Sequence, residues 1–125
     1  TGLVESSDFR MYFRVKPPDD SGICLFCDEQ KVAVLDISLG GAKFSCPKTV
    51  EIHSGQMLEL GLLIDANIFR INGRVRTIGQ PENEVAGRNL QFVSVEFVDR
   101  EPKMEAALGR AILDIERALL SDGKL

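Results

Sequence analysis

Two hydrophobic regimes divide the chain. From residue 23 to residue 99 the apolar positions come in short runs of strand length. "ICLFCD" (23–28) and "KVAVLDI" (31–37) predict two strands joined near Asp28–Gln30, and "GAKFSC" (41–46) predicts a third, closed by Pro47. "GQML" with "ELGLLID" follows the Ser54-Gly55 turn as a longer strand. Asn72-Gly73 signals a two-residue hairpin, yet Phe69, Ile71, Gly73 and Val75 hold one parity straight through it. A turn at Asp65–Asn67 followed by one continuous strand satisfies that parity, and the pattern favours it. "QPENEVAGRN" (80–89) reads as a long polar connection, and "LQFVSVEFVD" (90–99) as the last strand.

Beyond Pro102 the period changes. Met104, Leu108, Ala111, Ile112, Ile115 and Leu119 recur at helical spacing among Glu105, Arg110, Asp114 and Glu116, which predicts an amphipathic helix over 103–121. Pro102 suits its first turn, and Gly109 costs it about 1 kcal/mol against Ala. Six strands and one helix predict a mainly β domain: a six-stranded antiparallel barrel with the helix packed on it. Residues 1–8 are polar and aperiodic, and "VKPPDDSG" (15–22) is a turn or loop. Residues 1–16 are therefore expected to form a flexible arm, and 17–125 the barrel and helix.

Composition bounds the function. A chain of 125 residues is the size of one domain, and its start at Thr1-Gly2 without Met fits a piece of something longer. No apolar run is long enough for a membrane-spanning helix, and no secretory signal opens the chain. A net charge of −4 argues against a nucleic-acid partner. Positive charge is nonetheless concentrated in "FRMYFRVK" (9–16) and "FRINGRVR" (69–76), which contain no acid. Two local basic islands in an acidic protein suit a small anion better than a polyanion.

Cys24, Cys27 and Cys46 are odd in number and read as reduced thiols of a cytosolic protein. With His53 they could be written as a zinc set. Leu25 and Phe26 place Cys24 and Cys27 in a strand, however, where positions i and i+3 face opposite ways. One histidine and no Gly-x-Ser-x-Gly elbow leave no nucleophile–base pair, and "SLGG" lacks the lysine of a phosphate-binding P-loop, so no enzyme is predicted.

One stretch resists a plain strand reading. "VLDISLGGAKF" (34–44) carries Asp36, Ser38, Gly40 and Gly41 between apolar flanks. Alone it reads as a turn with Asp and Ser bonded to their own backbone, and Arg10 and Arg14 alone read as solvated charges. Together they offer more. Guanidinium groups fork onto phosphate or the O6/N7 edge of guanine, a carboxylate accepts from guanine N–H groups, and glycines allow close approach or positive φ. The set suits a guanine nucleotide.

"RMYFR" followed by "DISLGGAKF" resembles the PilZ domain, the bacterial receptor module for cyclic di-GMP, whose pattern is Arg-x-x-x-Arg and then Asp or Asn-x-Ser-x-x-Gly. "GQMLELGLLI", "INGRVRTIG" and "VSVEFVD" resemble the family's later strands, and the tail resembles its C-terminal helix. The resemblance implies that Arg10 and Arg14 grip phosphate and guanine from the arm. It implies that Asp36 and Ser38 contact guanine and nearby polar atoms, and that Gly41 permits the local backbone shape. Two positions depart from the pattern: Met11 stands where many members carry a second arginine, and Ser94 where the last strand often carries Gly. Phe9 occupies a place where arginine goes with a stacked ligand pair, which points to one ligand per domain. The implied protein is a non-enzymatic cytoplasmic sensor with no cofactor besides its ligand. Binding would order the arm and signal to a protein partner or a further domain of the same chain, without membrane insertion. The alternatives are a ligand-free adaptor of the same fold and a small zinc or thiol-redox domain.

Overall fold

The computed structural model describes residues 14–18, 21–79 and 89–121. Strands β1 (Ile23–Cys27), β2 (Gln30–Ile37), β3 (Gly41–Pro47), β4 (Met57–Ile64), β5 (Asn67–Gly79) and β6 (Leu90–Val98) precede helix α1 (Pro102–Ser121). The strands close into an antiparallel barrel in the order β1-β2-β3-β6-β5-β4. The expected six strands and C-terminal helix are all present.

Two of the hairpins turn on two residues with positive φ: Asp28 (51°) and Glu29 (64°) between β1 and β2, and Asp65 (46°) and Ala66 (74°) between β4 and β5. That geometry matches the right-handed twist of the flanking strands. The competing Asn72-Gly73 signal lies inside the ladder, paired with Glu59 and Leu58. Gly73 is there for space. A Cβ would stand 2.9 Å from Leu60 Cδ1 and 3.2 Å from Val95 Cβ, so the glycine serves packing rather than turning.

Leu25, Ile37, Phe44, Leu62, Val75 and Val93 fill the barrel, and the face of α1 carrying Met104, Leu108, Ala111, Ile112 and Ile115 is buried. These are the periodic positions of the helix. A fully buried aliphatic side chain contributes about 1.5–3 kcal/mol, so this face rather than propensity holds α1 in place despite Gly109.

A bulge in β2 decides which way the candidate site points. Val32, Val34 and Asp36 share one parity, and Val32 is buried, so an uninterrupted strand would drive the Asp36 carboxylate into the core. The register instead runs Val34↔Phe44 and then Asp36↔Lys43, leaving Leu35 unpaired. The extra residue reverses the parity, so that Ile37 is fully buried and Asp36 faces outward. Burying that charge unpaired would have been far costlier than losing one ladder step. A second bulge in β5 leaves Arg76 between Val75↔Val95 and Thr77↔Ser94.

Of the expected arm, residues 14–16 lie among the described residues, and they are tied to the barrel. Val15 pairs with Ile37 in an isolated bridge, with Val15 N–H donating to the Ile37 carbonyl at 3.0 Å and Ile37 N–H donating back at 2.8 Å. Its side chain is 4% exposed and belongs to the core. The expected flexible arm ran to Lys16, and few of its residues offer apolar anchorage. Val15 supplies it.

Candidate functional site

The site is built on the tight connection between β2 and β3. Ser38 N–H donates to the Gly41 carbonyl at 2.8 Å, and Gly40 N–H donates to Ser38 Oγ at 3.2 Å. The Ser38 hydroxyl donates in turn to the Gly41 carbonyl at 3.4 Å, and the residue is 1% exposed. The serine expected to touch ligand is thus enclosed in the turn, where it satisfies backbone groups. Gly41, expected to permit the local backbone shape, stands at a close approach of two strands rather than at a positive φ. It begins β3 opposite Glu96, and a Cβ there would collide with the Val95 carbonyl oxygen of β6. Only a residue without a side chain lets the two backbones come this close.

The turn is braced from behind. Phe97 N–H donates to the Gly40 carbonyl at 2.9 Å, and Arg100 Nη1 donates to the Leu39 carbonyl at 3.3 Å. The Leu39 side chain lies against α1, with its Cδ2 3.6 Å from where a Gly109 Cβ would stand. Nothing in the local sequence marks Arg100 or Gly109 as neighbours of residue 39, because the chain returns to the turn only after the barrel has closed.

In front of the turn, two distant stretches meet. The Val15–Ile37 bridge leaves Arg14 and Lys16 exposed on either side of the buried valine. Arg14 Nη1 donates to Asp36 Oδ1 at 2.5 Å, joining residues 22 apart in sequence. Both side chains stay accessible, Arg14 at 46% and Asp36 at 30%. The structure therefore brings Arg14, Asp36, Ser38 and Gly41 to one end of β2 and β3. Arg10 lies outside the described residues. The second basic island is on β5, where Arg70, Arg74 and Arg76 are exposed and Arg76 stands 3.8 Å from Glu96.

The cysteines fall as strand residues. Cys24 is half-buried on the outer face of β1, whereas Cys27 and Cys46 are buried. Burial pushes the Cys27 thiol pKa up, helped by Asp28 and Cys46; burial also raises that of Cys46, against a hydrogen bond from Gln91. Among the described residues no three His, Cys, Asp or Glu side chains converge as a metal site would require, and His53 is exposed in the β3–β4 connection. Ellman's reagent should therefore modify Cys24 first in the native protein, and Cys27 and Cys46 only as the barrel opens in denaturant. Equal rates for the three native thiols would contradict the core placement of Cys27 and Cys46.

No helix among the described residues is long and apolar enough to cross a membrane. A search of curated proteins returns no match. Solved structures do match. The chain superimposes on Escherichia coli YcgR in complex with c-di-GMP with a TM-score of 0.66 at 20% identity, covering 91% of this chain and 49% of that one. It superimposes on the PilZ domain of E. coli YcgR with c-di-GMP with a TM-score of 0.65 at 22% identity, covering 93% and 98%. A third is the Borreliella burgdorferi PlzA protein in complex with c-di-GMP, with a TM-score of 0.61, 10% identity and coverage of 94% and 56%. The chain thus spans about half of the YcgR chain solved in complex with c-di-GMP and nearly all of the one solved as its PilZ domain. The PilZ domain family model matches residues 8–114, most of the sequence and the whole barrel, so the chain belongs to the PilZ domain family.

Proposed function

We propose that this domain is a receptor for cyclic di-GMP, a binding module rather than an enzyme. One observation carries the reading: Arg14 and Asp36, from the two halves of the motif, meet on an open face beside a glycine-shaped turn. Family membership supports it, as do similar folds whose structures contain c-di-GMP. In this reading Arg10 and Arg14 take the phosphates and a guanine edge, and Asp36 accepts from guanine N–H groups. Ser38 and Gly41 act through the turn that aims Asp36.

Signalling is proposed to run through the arm. Arg14 already has one acid beside it in Asp36, and bringing Arg10 to the same face adds a positive charge that the two phosphates balance. Val15 is already seated, so the change begins at Arg14 and passes toward residue 1. A ligand shifts such an equilibrium only through contacts made in the closed state, and these arginines provide them. The ordered arm would then alter the surface offered to a partner protein or to a further domain.

Calorimetry should show cyclic di-GMP binding with one ligand per domain, and much weaker binding of GTP and cyclic di-AMP. Absence of heat with cyclic di-GMP would overturn the receptor reading. Backbone NMR relaxation tests the relay separately. Residues 9–13 should become rigid on binding, whereas equal rigidity in both states would refute the relay even if binding is real.

A further inference from the structure

We propose that Lys43 is a specificity-determining residue of the nucleotide site, donating to the O6/N7 edge of the guanine whose N–H groups Asp36 accepts; this rests on the receptor reading above. Lys43 pairs directly with Asp36 across β2–β3 and with Ser94 across β3–β6. The neighbours Ile37, Ala42 and Val95 are buried, so Asp36, Lys43 and Ser94 form a row on the outer face. Directly opposed residues in an antiparallel pair hold their Cβ atoms about 4.5–5.5 Å apart, so the carboxylate and the ammonium can address one base together. Only the bulge at Leu35 creates this pairing.

The charge of Lys43 is available. The ion pairs among the described residues join Arg14 to Asp36 and Arg76 to Glu96, and leave Lys43 out. Its Nζ instead rests 5.6 Å from the centroid of the Phe92 ring. Lys43 and Phe92 are both half-buried, and the attraction is still weaker than a charge-assisted hydrogen bond, so a ligand can displace it while it keeps the ammonium on this face.

The base chemistry fits the pair. Guanine presents N1–H and N2–H donors beside the O6 acceptor, and N7 lies on the far side of O6. Asp36 can take the donors while Lys43 takes the acceptors. Adenine presents an N6 amino donor in place of O6 and a bare N1 in place of N1–H. A carboxylate–ammonium pair therefore meets adenine with acceptor against N1 and donor against the N6 amino group, leaving N7 as the one contact that Lys43 keeps. Phosphate contacts cannot make this distinction, because the phosphates of the two cyclic dinucleotides are the same, so it falls to the groups that meet the bases.

The test is calorimetry of Lys43→Met and Lys43→Arg with cyclic di-GMP and cyclic di-AMP, with melting curves confirming folded protein. Lys43→Met should lose about tenfold or more for cyclic di-GMP, with cyclic di-AMP affinity unchanged or raised, so that the preference for guanine narrows. Lys43→Arg should retain it. Where cyclic di-AMP binds too weakly to titrate directly, its competition against bound cyclic di-GMP measures the preference in each variant. An unaltered preference in Lys43→Met overturns the proposal, whether both affinities persist or both fall equally, since the latter is a phosphate role. Wild-type protein that binds neither dinucleotide refutes the receptor reading itself.

Discussion

Replacing Arg14 by alanine is expected to weaken cyclic di-GMP binding about tenfold or more, because a hydrogen bond to a charged group is worth about 1.5–3 kcal/mol. The melting temperature should barely change. Arg14 is already paired with Asp36 in the free domain, and both partners remain partly exposed. Such pairs contribute about 0–1 kcal/mol, so losing this one costs little stability and a ligand separates it easily. The ion pair also uses Nη1 alone, which leaves the other N–H groups of the guanidinium free to turn toward a phosphate. The free-state pair thus holds Arg14 near its working position without neutralising its donors. Calorimetric titration of wild type and Arg14→Ala decides, and equal affinities would sink the site assignment.

Gly41→Ala is expected to act on stability and binding together. The added methyl meets the Val95 carbonyl oxygen, a backbone atom of β6 that cannot swing aside as a side chain could. β3 is paired with β6 along its whole length, so relief must come from shifting the ladder. Overpacking of this kind costs about 1–3 kcal/mol. The same shift disturbs the hydrogen bonds of the Ser38–Gly41 turn, and with them the aim of Asp36. Gly79→Ala is the control, since a Cβ there meets nothing within 4 Å and its melting curve should match wild type. An unchanged melting temperature in Gly41→Ala would mean that β3 and β6 are not in this close approach.

Local sequence carried much of this architecture because it rested on short-range rules. The parity of Phe69, Ile71, Gly73 and Val75 outvoted the Asn72-Gly73 hairpin signal, since slipping by one residue would have turned every one of those side chains outward. The 3.6 period in 104–119 named the buried face of α1 position by position. Proline at 47 and at 102 marked a strand end and a helix start through the missing N–H.

Other features depended on contacts between distant segments. Val15 fell within the expected flexible arm because its core partners come from strands that the local sequence does not place beside it. The hydroxyl of Ser38 is read from its residue type, whereas its enclosure depends on how the turn folds back on Gly41. Leu39 and Arg100 are brought together only by the complete barrel.

Asp36 shows where the division falls. Its sequence determined the chemistry, a carboxylate followed by a tight serine–glycine turn, because side-chain chemistry is a property of the residue itself. Period-two alternation alone would have pointed it into the core with Val32. The outward aim, and with it the meeting with Arg14 and the pairing with Lys43, came from the tertiary structure. Closing the barrel required Ile37 inside and an ionised carboxylate outside, and one extra residue at Leu35 met both demands more cheaply than burying the charge.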